Sequence, residues 1–280
     1  MKVAPAVGAE IVSIDSAQVY VGMNIGTAKP SPEELASVRH HMIDVSGPDE
    51  TISVKVFRDA ARGAIADIAA RGRLPLLVGG SGLYFRAVVD PLEFPGTSPE
   101  VRRELNELAE DEGAEALFRR LEDLDAEAAA RIEPANTRRI VRALEVIEIT
   151  GQRFSDFRTS WDSYESIYDL KAVGLDPPKE RLHGAIDQRV DHMIEAGLID
   201  EVRGLLDEGL RDSLTSVQTL GYAQALNHID GNSTLDEAIE EMKRRTRRFA
   251  RRQMSWFRSD PRIEWFEDPG EAGEWLQTEF

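Results

Sequence analysis

Glu10-Ile11-Val12-Ser13-Ile14-Asp15-Ser16-Ala17-Gln18-Val19-Tyr20 opens with a short, largely apolar run and ends in a carboxylate, a hydroxyl and an amide. Apolarity that runs on rather than alternating marks a strand covered on both faces, the habit of parallel sheets. Leu74-Pro75-Leu76-Leu77-Val78 repeats the pattern and runs into Gly79-Gly80-Ser81-Gly82. Between the two, Val54, Phe57, Ala61, Ile65 and Ile68 fall at helical spacing, and Gly72 is the stop. Strand, helix and strand make one parallel unit.

Working outward, residues 171–176 form a third strand closed by Pro177-Pro178, and Ile263 to Phe266 a further short one. Helices are predicted over 100–109, 114–121, 126–131, 137–150, 180–196, 199–208 and 235–257. The helical stretch from about 100 to 157 has no strand of its own and interrupts the alternation, so it reads as an inserted subdomain. The expected architecture is α/β, a parallel sheet flanked by helices, with a core in two parts, 1–95 and 161–280, around an insertion over 96–160. Open parallel sheets bind ligands beyond the carboxyl ends of their strands. Asp15-Ser16 and Gly79–Gly82 occupy those ends.

Composition narrows the function. The 280 residues are 41% hydrophobic and 30% charged, without an apolar run near the roughly 18 residues a membrane helix needs, so the chain is globular. No cysteine is present, which removes disulfides, thiolate metal sites and cysteine nucleophiles and suits a cytoplasmic protein. The net charge of −17 argues against a polyanionic partner, but the average hides an asymmetry. Twelve acids face five arginines from Glu100 to Glu133, whereas nine cations face one acid, Asp260, from Lys243 to Arg262.

Asp15, Ser16 and Gln18 suit a base edge: the carboxylate can accept from an exocyclic amine and the carboxamide can satisfy a donor–acceptor pair. A helix N-cap by Asp15 or Ser16 explains the same residues, and both readings stay open. Gly79–Gly82 brings backbone close to a ligand at a helix start, though a plain strand-to-helix turn uses the same glycines. Arg138 and Arg142 share a helix face with Arg139 beside them, fit to straddle phosphates or to pair with Glu145 or Glu148. In the last long helix Ile239, Met242, Thr246, Phe249, Gln253 and Trp256 make an expected buried stripe. Eight cations from Lys243 to Arg258, Arg247, Arg251 and Arg252 among them, have no acid within that interval. They therefore read as an anion-binding face. The histidines show no metal-ligand spacing, and no Gly-x-Ser-x-Gly elbow is present.

Asp15-Ser-Ala-Gln-Val-Tyr…Gly26-Thr-Ala-Lys-Pro, Leu77-Val-Gly-Gly-Ser-Gly-Leu-Tyr84, Arg142-Ala-Leu-Glu-Val146, Gly221-Tyr222 and Arg247-Arg-Phe-Ala-Arg-Arg-Gln-Met-Ser-Trp-Phe-Arg258, in that order, closely resemble the tRNA dimethylallyltransferases. The resemblance implies a P-loop-kinase-like core with an inserted helical domain, acting as a monomer. It implies transfer of a dimethylallyl group from dimethylallyl diphosphate, with Mg²⁺, to N6 of the adenine 3′-adjacent to the anticodon in tRNA. By the same resemblance Asp15 is the general base. Ser16, Ala17 and Gln18 touch the target base, Ser81 and Arg102 contact RNA, and the stretches Arg138–Arg142 and Gln218–Ala223, with Gly221, contact the anticodon stem-loop. Some members carry Arg at the position of Gln218 and Arg or Lys at that of Ala223.

The family begins with a strand and a Gly-x-x-x-x-Gly-Lys-[Ser/Thr] loop that cradles the diphosphate. That block is absent here, and residues 3–10 resemble the tail of the helix that follows it. The expectation is a truncated gene model whose first strand and P-loop are missing, with unpaired edges on two neighbouring strands. Two rival readings follow: a truncated tRNA-binding remnant without transferase activity, and a P-loop-type small-molecule kinase.

Overall fold

A computed structural model describes residues 3–161 and 163–280, and these divide into two compact units, one within residues 3–89 and 168–280 and one within residues 90–167. In chain order the first unit holds α1 (Val3–Ala6), β1 (Ala9–Ser13), α2 (Pro32–Ser37), β2 (His40–His41), α3 (Val54–Ala70), β3 (Leu74–Val78) and α4 (Gly82–Val89). The second unit holds α5 (Pro99–Glu112), α6 (Ala114–Leu124), α7 (Ala126–Ala129) and α8 (Thr137–Thr150). The chain then returns to the first unit with β4 (Ala172–Leu175), α9 (Lys179–Glu195), α10 (Leu198–Asp207), α11 (Tyr222–Ile229), α12 (Leu235–Phe257), β5 (Ile263–Phe266) and α13 (Pro269–Glu279).

The fold is α/β with parallel strands flanked by helices. β1 lies between β2 and β3, with Ile11 opposite His40 and Ser13 opposite Val78. All five β1 residues are buried, Glu10 and Ser13 with the apolar three, as befits a strand covered on both faces. Pro75 sits in β3, where one edge has no strand partner among the described residues, so the missing N–H costs no ladder bond on that side. β4 and β5 pair in parallel as a separate two-stranded sheet, Ala172 opposite Ile263. Of the two buried polar members of β1, Glu10 pairs with Arg71 and accepts from His41 at 2.7 Å.

Local chemistry explains the helix ends. The Ser53 hydroxyl accepts from Val56 N–H to start α3, and Thr234 with Glu237 closes a reciprocal capping box on α12. Asn136 caps α8, and Gly151 ends it in the left-handed conformation. The core of the first unit joins Val12 and Ile14 to Phe57, Ile65, Ile68, Val202 and Met242, and the second unit has its own core of Leu105, Leu117, Leu121, Ile140 and Leu144.

The expected buried stripe of α12 is corrected: of its six residues only Met242 is buried, Ile239, Thr246 and Gln253 are half-buried, and Phe249 and Trp256 keep 38% and 37% of their surface exposed. Helical spacing identifies a common face, and a face is buried only as far as neighbouring elements extend along it.

Candidate functional site

The carboxyl ends of β1 and β3 lie side by side, Ile14 N–H donating to Val78 O at 2.8 Å. Gly79 presses on Ile14, whose carbonyl carbon would lie 2.7 Å from a Cβ at position 79. Asp15 and Gly79–Ser81 therefore leave the sheet from one edge.

Asp15 is half-buried and starts a turn rather than a helix: its Oδ1 accepts from Ala17 N–H at 2.8 Å, and its own N–H donates to Ser13 Oγ at 3.4 Å. Its Oδ2 has no partner among the described residues. Ser16 is exposed beside it. The Gln18 carboxamide is spent within the loop: Oε1 accepts from the Ser13 hydroxyl at 2.9 Å, and Nε2 donates to Thr27 O at 3.3 Å and Ala28 O at 3.4 Å. The nearly buried Lys29 ammonium closes the far side, donating to Tyr20 O at 2.6 Å, Asn24 Oδ1 at 3.0 Å and the Asp44 carboxylate at 2.5 Å.

Close packing explains the glycines at the end of β3. Gln253 Nε2 on α12 donates to Gly80 O at 2.6 Å, and a Cβ on Gly82 would stand 2.5 Å from the Trp256 ring. Half-buried Ser81 accepts from Phe85 N–H at 2.9 Å, opening α4. One turn on, burial pushes the Tyr84 phenol up to about 12, with Tyr20 and Asp15 nearby adding to the shift. Across the loop, the Tyr20 and Thr215 hydroxyls are 2.5 Å apart, just before the 3₁₀ turn Ser216–Gln218. Gln218 is exposed. Gly221 is buried at φ +89°, and a Cβ there would stand 3.9 Å from Gly26 O. The sheet edge, residues 15–29, the Gln218–Gly221 segment and the C-terminal half of α12 are thus tied together within the first unit.

The cations of α12 divide in two. Arg244 and Arg245 pair with Glu241, Lys243 with Asp191 and Glu240, Arg247 with Asp187, and Arg258 with Asp176. The sequence expectation that the whole run lacks partners is corrected: Glu240 and Glu241 precede the run, and the aspartates come from α9 and the end of β4. Arg248, Arg251 and Arg252 are exposed and carry no ion pair among the described residues, and Arg252 lies 5.6 Å over the Phe249 ring.

The second unit carries the other four arginines expected to contact RNA, Arg102, Arg138, Arg139 and Arg142. Arg102 and Arg142 each place a guanidinium nitrogen 2.7 Å from the same Glu145 oxygen, on a side chain that is 0% exposed, while Ser98 N–H donates to its other oxygen at 3.0 Å. Arg142 also donates to Pro95 O at 2.8 Å and Gly96 O at 3.0 Å. Arg138 and Arg139 are exposed and form no ion pair among the described residues.

Among the described residues no three His, Asp or Glu side chains come together as metal ligands.

The IPP transferase family model matches residues 18–260, spanning both units. The chain belongs to the IPP transferase family. This family member is 51% identical over 262 residues to the tRNA dimethylallyltransferase of Streptomyces coelicolor, covering 94% of this chain and 83% of the relative. It is 46% identical over 273 residues to that of Geobacillus kaustophilus, with 97% and 86% covered. Among solved structures, the tRNA isopentenylpyrophosphate transferase of Bacillus halodurans matches at a TM-score of 0.70 and 41% identity, covering 99% of this chain and 88% of the other. A eukaryotic dimethylallyltransferase acting on tRNA matches at 0.77 and 27% identity, covering 91% and 64%. No helix among the described residues is long and apolar enough to cross a membrane. The Arg142–Glu145 pairing was legible as a local alternative, but sequence reasoning missed Arg102 as the second partner of Glu145 and Gln253 as an organiser of the loop after β3, because both bonds cross a long stretch of chain.

Proposed function

We propose that the chain transfers a dimethylallyl group from dimethylallyl diphosphate to N6 of the adenine 3′-adjacent to the anticodon of tRNA, as a cytoplasmic monomer with Asp15 as general base. The observation that carries this reading is the Asp15 carboxylate at the sheet edge, one oxygen fixed by Ala17 N–H and the other open. In the step, the N6 lone pair forms a bond to the allylic carbon, the carbon–oxygen bond to diphosphate breaks with its electron pair, and the N6 proton passes to Asp15 Oδ2. An exocyclic amine is a weak nucleophile, and a carboxylate within reach relieves its developing charge. The base must leave its stack to enter such a site.

Exposed Arg138, Arg139, Arg248, Arg251 and Arg252 supply cations toward the RNA backbone. Ser81 and the Gly79–Gly80 backbone face the same edge as Asp15, while Gln18 supports the loop beneath the base. A Mg²⁺ ion accompanying a diphosphate is held largely by phosphate oxygens and water, and its chemistry when bound is to neutralise the leaving group.

The test incubates the full chain with dimethylallyl diphosphate, Mg²⁺ and an anticodon stem-loop, and follows prenylated adenosine by mass. Product that disappears in Asp15→Asn supports the reading. Salt-dependent stem-loop binding without product supports a tRNA-binding remnant, and displacement of the diphosphate substrate by ATP supports a kinase-like site.

A further inference from the structure

Glu201 lies in the first turn of α10, where an acid commonly answers the helix dipole from solvent. Here its half-buried carboxylate reaches a different element. It accepts from three consecutive backbone amides of the loop after β1: Asn24 N–H at 3.1 Å, Ile25 N–H at 2.8 and 3.1 Å, and Gly26 N–H at 3.4 Å. The Tyr222 hydroxyl donates to the same carboxylate at 2.5 Å. Successive amides converging on one anion form the concavity by which loops bind phosphate, and this one is filled by the chain's own acid.

The contacts leave little freedom. Tyr222 is 0% exposed, and its phenol is pushed far above its ordinary range, first by burial and then by the hydrogen bond to Glu201, so it stays a neutral donor. A Cβ at Gly26 would stand 2.4 Å from the Tyr222 ring, so the loop can approach Glu201 only because residue 26 is glycine. The next two carbonyls, Thr27 O and Ala28 O, accept from Gln18, whose other end accepts from Ser13. Ser13 Oγ in turn accepts from Asp15 N–H. A continuous set of bonds therefore runs from Glu201 through residues 24–28 and Gln18 to the backbone of Asp15.

We propose that Glu201 is a positioning residue for prenyl transfer: without touching substrate, it braces the 24–28 loop and so sets the aim of the Asp15 carboxylate. The proposal rests on the reading of Asp15 as general base. It extends the site to a residue of α10 that none of the sequence motifs includes.

Amide exchange tests the brace with no substrate present, and kinetics tests its use. In Glu201→Ala the amides of Asn24, Ile25 and Gly26 are expected to exchange on the order of tenfold faster, while those in the middle of α3 are unchanged. The kcat for prenyl transfer falls on the order of 10- to 100-fold, with KM for dimethylallyl diphosphate within about twofold of wild type. Glu201→Gln keeps an acceptor oxygen and recovers part of kcat, and Tyr222→Phe gives a smaller loss of the same kind. Made in an Asp15→Asn background, Glu201→Ala costs nothing further, because the group it aims is already gone.

Unchanged exchange at 24–26 in both Glu201 variants overturns the brace. Faster exchange with unaltered kcat, or a loss that adds in full to that of Asp15→Asn, overturns the positioning role. An Asp15→Asn variant with wild-type kcat overturns the general-base reading instead, and leaves the exchange result on Glu201 standing.

Discussion

The Gln253 side-chain amide on α12 donates to the carbonyl oxygen of Gly80 at 2.6 Å, joining residues 173 positions apart in the chain. This bond, with Trp256 seated against Gly82, brings the cationic helix onto the loop that leaves β3. The glycines of that loop are there for contact.

Substitutions at the three glycines are expected to differ in cost. Gly79→Ala sets a methyl 2.7 Å from the Ile14 backbone, which cannot yield, and Gly82→Ala sets one 2.5 Å from the rigid Trp256 ring. Each should lose about 1–3 kcal/mol or more, the usual cost of overpacking. Gly80→Ala meets the movable end of Gln253, so it forfeits little beyond that hydrogen bond, about 1 kcal/mol. Urea midpoints at unchanged slope give the order.

Arg102 and Arg142 share a buried acid, and the asymmetry of burial decides which deletion hurts. Removing both arginines leaves Glu145, 0% exposed, without a cation and should cost about 3–5 kcal/mol. Glu145→Gln leaves two arginines that are 39% and 28% exposed and can turn to water, so it should cost about 1–3 kcal/mol. Chemical denaturation of the two variants and their triple combination checks the ranking.

Exposure also separates the arginines as RNA contacts. Arg138→Ala, Arg139→Ala and Arg251→Ala should each weaken stem-loop binding and flatten the slope of log K against log salt by about 0.7–0.9. Arg244→Ala, whose guanidinium is already held by Glu241, should leave the slope unchanged. Fluorescence titrations at four or more salt concentrations distinguish the two classes.

Glu10 gives the acid limb of stability its shape. The Arg71 guanidinium, aided by His41, outweighs burial and holds the Glu10 carboxyl down to about 2 from an ordinary 4.5. Because the folded value is depressed, the stabilisation is complete above about pH 4.5 and is lost as pH falls from there toward 2. The melting temperature of Glu10→Gln should lie below wild type at neutral pH, and the two curves should converge between pH 4.5 and 2. A gap that stays constant through that window refutes the assignment.

Features that depend on neighbours within a few residues were legible in the amino-acid order. Largely apolar runs made β1 and β3 legible as strands, and β3 and β5 have their expected limits, but of the two expected buried strands only β1 is buried: β3 is half-buried from Leu74 to Leu77 and Val78 is exposed, because β3 lies at the side of its sheet. Apolar spacing placed α8 and α12 at their observed limits. The ordered motifs from Asp15 to Arg258 carried the family. The short β2, with only two residues, and α11 had no comparable signal.

Which side chains are spent and which stay open to solvent was set by the folded arrangement, because a bond between distant residues leaves no local mark. Gln18 read as a base contact and Arg142 as either a phosphate contact or a partner of Glu145 or Glu148; the fold holds Gln18 through Ser13, Thr27 and Ala28, and Arg142 through Glu145, Pro95 and Gly96. The cations of α12 looked alike until α9 supplied aspartates to Lys243 and Arg247 but none to Arg251 or Arg252. Glu201 reads as an ordinary acid at a helix start, and folding alone carries three amides from residues 24–26 to its carboxylate.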